Sequence, residues 1–221
     1  MQIPHALSTD QFSPAFRDRD FWHQHGLTGS GPVALFVGKD YELKGLTQLL
    51  GALALVNRGR EVPVQFAAVG RIGPENQARI DALPWAVAPG FLSGEELSAA
   101  FASADFSVAP SSWENFPFAL LEAQSSGIPS VCGSRGGMPE VVADGETGIV
   151  VEIASNRDGL HLPEAAGRLA EAIVRLADDS TLRSKLGDAA RQRVLREFSL
   201  PRLAENMMAA FHQLKGTSVS K

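Results

Sequence analysis

The sequence predicts an α/β fold, a doubly wound parallel sheet with helices on both faces and a helical C-terminal stretch. Three observations carry that reading. Apolar residues come in short uninterrupted runs such as Val33–Val37, Val64–Val69 and Phe106–Ala109, and continuous rather than alternating hydrophobicity marks strands covered on both faces. Stretches with helical spacing separate these runs, which is the alternation a parallel sheet needs. From Leu162 onward only helical spacing remains.

Taken in order, residues 1–31 do not look like the start of a core. Met1–Pro14 is polar and extended, and a short helix over Ala15–His25 ends at Gly26, a residue suited to a helix C-cap. The first strand, Val33–Val37, stops at Gly38, and the second, Val64–Val69, stops at Gly70. Trp85–Ala88, Phe106–Ala109, Ile128–Cys132 and Gly148–Val151 supply four more. Helices are predicted over Gly45–Asn57, Pro74–Leu83, Gly94–Ala102, Pro117–Ser125 and Met138–Ala143. Pro163–Ala177, Thr181–Phe198 and Pro201–Leu214 follow, with Pro163 and Pro201 where a first turn tolerates proline. The expected organisation is a leading segment 1–31, a sheet domain 32–198, a last helix 199–215 and a frayed tail 216–221.

Composition narrows the function classes. The chain has 221 residues, 44% of them hydrophobic, enough for one large core. Its net charge of −5 is the wrong sign for bulk attraction to nucleic acid. Cys132 stands alone, so no intrachain disulfide or cysteine zinc cluster can form. His23 and His25, two apart, do not make a helical metal pair. With no apolar run of membrane-spanning length and no signal-peptide pattern, the expectation is a soluble cytoplasmic protein.

An open parallel sheet binds ligands at the carboxyl ends of its strands, so those loops hold the candidates. Neither GxxxxGK[ST], GxGxxG after the first strand, GxSxG nor HExxH occurs, which removes the main support for P-loop enzymes, dinucleotide dehydrogenases, α/β-hydrolases and zincins. The first loop, Gly38–Gly45, carries Lys39 and Lys44. Either lysine could be a solvated loop charge, but Lys44 sits beside a helix start, where a cation is unfavourable unless an anion shares the site. The loop after the fourth strand reads Ser111-Ser112-Trp113-Glu114-Asn115-Phe116-Pro117-Phe118-Ala119, with Glu122 in the helix beyond. Uncapped amides around Phe118–Leu120 would suit phosphate oxygens, and Pro117 to Glu122 spans roughly 7–8 Å of helix. Glu114 and Glu122 could each accept from paired hydroxyls, or be ordinary loop and helix glutamates. Gly136-Gly137 after the fifth strand permits a close approach of ligand or simply a tight turn.

Together these features resemble the retaining glycosyltransferases of family 4 (group 1), which have the GT-B fold. Glu114 to Glu122 is similar to their E-x7-E motif, Phe36–Gly45 to their donor-diphosphate loop, and Ile3–Pro14 to the segment after their interdomain linker. Pro129–Gly148 and the helical tail follow the family too, so the resemblance covers nearly the whole chain. It implies a Rossmann-like sheet, the C-terminal, donor-binding half of a GT-B fold. Lys39, Lys44 and Glu114 would be the catalytic residues, with Lys39 where many members have arginine. Gly38, Leu92, Asn115, Phe116, Pro117, Phe118, Ala119 and Glu122 would bind substrate, with Leu92 beside the base and Glu122 on the ribose.

The resemblance further implies a hexosyltransferase acting on a nucleotide diphosphate sugar, without metal or other cofactor and without nucleic acid. An acceptor sugar or lipid would bind a domain with no counterpart here, and peripheral membrane association is open to the full enzyme. The chain alone would then transfer sugar poorly or not at all. Two other readings stay open, a non-catalytic nucleotide-sugar-binding module or partner subunit, and a different GT-B chemistry such as epimerisation or phosphorolysis.

Overall fold

The computed structural model describes residues 3–153 and 164–216. Six parallel strands form one sheet: β1 (Val33–Val37), β2 (Gln65–Val69), β3 (Ala86–Gly90), β4 (Phe106–Ala109), β5 (Ser130–Gly133) and β6 (Gly148–Val151). Their order is β3-β2-β1-β4-β5-β6, all pairs parallel. The winding therefore reverses between β1 and β4, and the helices that follow those two strands lie on opposite faces of the sheet. Doubly wound sheets take ligands in the crevice at the carboxyl ends of the strands at such a switch point.

The helices are α1 (Phe21–Gln24), α2 (Leu46–Asn57), α3 (Pro74–Asp81), α4 (Gly94–Ala102), α5 (Phe118–Ser125), α6 (Met138–Val141), α7 (Ala165–Asp178), α8 (Ser180–Glu197) and α9 (Leu200–Gly216). Successive strand residues alternate between two apolar layers, as the two-residue period requires. Ala34, Phe36, Phe66, Phe106 and Ile149 pack with Leu49 and Leu53 of α2, Ile80 of α3 and Leu169 and Ile173 of α7. Leu35, Ala67, Val69 and Cys132 face Phe101 of α4, Leu120 and Leu121 of α5 and Val141 of α6. Helix α8 joins the layers, Leu186 lying in the first and Val194 in the second.

Several elements depart from the sequence reading. The helix expected over Ala15–His25 is two pieces, a 3-10 turn at Pro14–Phe16 and α1. Between them the Asp18 carboxylate accepts from the Asp20 amide at 2.9 Å, a local bond that competes with the helical ladder, and the Asp18 amide donates to the distant Ser103 Oγ at 3.0 Å. Strand β3 runs on through Pro89 to Gly90, tolerated because β3 is an edge strand. Helix α5 begins at Phe118 with Pro117 as its cap, α6 is shorter than Met138–Ala143, and α9 runs to Gly216. Pro163 and the tail beyond Gly216 lie outside the described residues.

The leading segment is part of the core. Leu7, Phe12, Phe21, Trp22 and Leu27 are buried in the second layer. Leu7 donates its amide to Phe198 O at 3.0 Å. The Arg191 guanidinium donates to Thr9 O, Phe12 O and Ser125 O at 2.7–3.0 Å. His23 and His25 are structural: their Nδ1 atoms bond Leu27 O at 2.7 Å and Phe21 O at 2.8 Å.

Candidate functional site

The site is built from the loops that leave β1 and β4. At the end of β1, the Gly38 amide donates to Val69 O at 2.9 Å. Gly70 crosses so closely, at φ +128°, that a Cβ there would stand 1.9 Å from Gly38 O. Asp40 pins the loop by accepting from the Gly73 amide and from Asn76 Nδ2, both at 3.0 Å. A 3-10 turn at Glu42–Lys44 then brings Lys44 round, and Gly45, at φ +73°, starts α2.

The β4 loop docks on this one. The Ser112 amide donates to Leu43 O at 2.9 Å. Lys44 Nζ forms an ion pair with Glu114 Oε1, and the buried Ser111 hydroxyl donates to that same oxygen at 2.7 Å. The candidate lysine and glutamate are thus in contact. A third loop braces the second, the Gly137 amide donating to Glu114 O at 2.8 Å. A Cβ on Gly136, whose φ is +67°, would lie 1.9 Å from Glu114 O, and one on Gly137 would lie 2.2 Å from Asn115 O. The paired glycines left ambiguous by the sequence serve this loop-on-loop approach.

Helix α5 starts at the crevice. The Leu120 amide turns back to Pro117 O at 3.1 Å and Leu121 to the same oxygen at 3.4 Å. Of the three amides expected to be free, only those of Phe118 and Ala119 have no acceptor among the described residues. One turn on, the Glu122 carboxylate has no hydrogen-bond partner among the described residues, and burial pushes its pKa up to about 7. Asn115 is exposed, while the Phe116 and Phe118 side chains form an aromatic group with His5, at centroid distances of 5.0 and 5.6 Å from its ring. Phe116 also packs against the second apolar layer, whereas the Phe118 ring remains 45% exposed.

Beside the crevice lies a mainly apolar cavity of about 290 Å³, lined by Gly38, Lys39, Gly70, Arg71, Phe91 and Leu92 among others. It adjoins Lys39, whose ammonium also lies 5.9 Å from the Tyr41 ring centroid. Gly38, Lys39 and Leu92 so line one cavity, Lys44 and Glu114 meet in an ion pair, and the α5 amides and Glu122 follow Glu114 along the chain. Sequence reasoning missed Ser111 and Arg71. Arg71 follows the glycine that ends the second apolar run, the same position Lys39 holds after the first. Ser111 left no signal of its own, since its role depends on how the loop turns towards Glu114.

The family model described as Glycosyl transferases group 1 matches residues 31–179. A GDP-mannose-dependent alpha-mannosyltransferase of Corynebacterium glutamicum is 31% identical over 160 residues, 72% of this chain and 37% of that protein. The MMP alpha-(1->4)-mannosyltransferase of Mycolicibacterium hassiacum is 32% identical over 215 residues, 96% of this chain and 47% of that one. The chain therefore spans less than half the length of either relative. Among solved structures, sucrose-phosphate synthase from Thermosynechococcus elongatus superposes with a TM-score of 0.78 at 27% identity, covering 98% of this chain and 53% of the other.

Proposed function

This chain belongs to the group 1 glycosyltransferases, and from that premise we propose that it supplies the donor side of a retaining sugar transfer. In this reading it binds a nucleotide diphosphate sugar in the crevice between β1 and β4. A hexose-type sugar then passes to an acceptor sugar or lipid held by a second domain. The arrangement around α5 carries the proposal: a lysine on a carboxylate, two free amides at a helix start, and a half-buried unpartnered carboxylate one turn beyond.

Each part has a task suited to its chemistry. The Phe118 and Ala119 amides and Lys44 receive the diphosphate oxygens, where a helix N-terminus favours negative charge. Glu122 accepts from the ribose diol, Glu114 from hydroxyls of the transferred sugar, and the apolar cavity beside Leu92 takes the base. Gly38 and the backbone from Asn115 to Pro117 let the ligand approach closely. As the anomeric C–O bond breaks, its electron pair goes to the diphosphate oxygen. Lys39 and Lys44 stabilise the charge that gathers there; these cations do what a metal would otherwise do. Lys44 must leave Glu114 for the phosphates, and its departure frees the carboxylate for sugar hydroxyls. The acceptor hydroxyl attacks from the face the diphosphate leaves and gives its proton to the departing diphosphate oxygen, giving retention. The relatives' names, with mannose transfer from GDP-mannose among them, support a hexose donor.

Calorimetric titration with UDP, GDP and ADP tests the reading. One nucleotide is expected to bind, and Lys44→Ala and Glu122→Ala each to weaken it by about tenfold or more, the loss of one charge-assisted bond. Absence of binding at about 1 mM, or binding that ignores both substitutions, contradicts it.

A further inference from the structure

Leu43 and Trp113 immediately precede the two members of the Lys44–Glu114 pair, and the loops that carry them are joined there by the Ser112 amide on Leu43 O. The chain around Trp113 is held on both sides. Ser111 and Ser112 are buried, and Glu114 is fixed through its side chain by Ser111 and Lys44 and through its carbonyl by Gly137. Yet Trp113 is 58% exposed and Leu43 43%. The other two tryptophans, Trp22 and Trp85, are 4% and 9% exposed. A rigid loop therefore holds one large indole in water at the position next to Glu114 in the chain.

Such a pair of surfaces has a chemical complement. A pyranose ring has an apolar face of C–H groups and a rim of hydroxyls, so it is matched by an aromatic plane next to a hydrogen-bond acceptor. Ligand sites of this kind combine aromatic walls with a few placed polar groups. We infer that Trp113 is a specificity-determining residue whose indole takes the C–H face of the transferred hexose while Glu114 takes its hydroxyls. Leu43, on the adjoining loop, extends the apolar rim. The inference rests on the donor-site reading above.

Trp113 is itself the probe. Calorimetry first identifies which of UDP-glucose, GDP-mannose and ADP-glucose binds, together with its nucleoside diphosphate. Acrylamide quenching of tryptophan fluorescence is then measured on the free chain and with each of the two ligands, and Trp113→Phe supplies the baseline from the buried tryptophans. The nucleotide sugar should lower quenching towards that baseline, and the diphosphate alone should not. Trp113→Ala should weaken the nucleotide sugar roughly three- to tenfold and leave the diphosphate unchanged, with Trp113→Phe retaining most of the affinity. If both ligands bind and leave Trp113 equally accessible, or Trp113→Ala weakens both alike, the inference is overturned with the donor site intact. If no nucleotide or nucleotide sugar binds, the donor-site reading falls and takes this inference with it.

Discussion

Glu122 is the residue whose chemistry departs furthest from that of a surface glutamate. Burial raises its pKa from 4.5 to about 7, so between those values the folded chain holds a proton that the unfolded chain has released. Its contribution to stability is then fully present below about pH 4.5 and lost as pH rises towards 7, by at most about 1.4 kcal/mol per pH unit. Binding runs the other way. A ribose diol that donates to the carboxylate needs it ionised, so nucleotide affinity should rise from about pH 6 to about pH 8 and then level off. Calorimetry across that range should show the rise in the native chain and a flat profile in Glu122→Gln. The carboxylate itself was legible from E-x7-E spacing. Its burial was not, because that depends on the side chains which close over α5 from distant parts of the chain.

At the scale of elements, the loops decide the site. Apolar runs marked every strand of the sheet, since a strand covered on both faces has no polar side to show. Loop contacts leave no such trace. Nothing in Ser134-Arg135-Gly136-Gly137 says that its glycines are pressed against the Glu114 loop rather than against a ligand. Gly136→Ala should therefore cost about 2 kcal/mol or more, through its positive φ and the clash with Glu114 O, and should weaken nucleotide binding as the loop shifts. Gly145→Ala is the matching control. Its φ is +73° but nothing lies within 4 Å of the added Cβ, so it should cost about 1 kcal/mol and leave binding unchanged. Urea denaturation midpoints and titration of both variants distinguish strain alone from strain at the site. The broken helix at Ala15–His25 teaches the same lesson, for two short polar bonds around Asp18 outweighed a plausible helical pattern.

For the whole molecule, the order of strands could be inferred only as doubly wound, while the reversal between β1 and β4 needed the structure. So did the place of the leading segment. Its polar stretch reads as an appendage, yet Arg191, 179 residues further on than Phe12, ties it to the end of α5. Burial lowers the Arg191 pKa, the mark of a cation held largely by carbonyl oxygens. Arg191→Ala would leave those carbonyls without their donor and should cost about 3 kcal/mol, with residues 3–12 losing amide-exchange protection before the sheet does.

The central claim is where the nucleotide sits, and amide chemical-shift mapping by NMR tests it most directly. When the nucleotide that binds is titrated into the labelled chain, the largest shifts should fall on Gly38–Gly45 and on Phe118, Ala119 and Glu122. The opposite end of the sheet, where Arg17, Arg183 and Arg191 line a cavity of about 440 Å³, should stay unmoved. Saturable shifts centred on those arginines, with the α5 amides unchanged, would contradict the account.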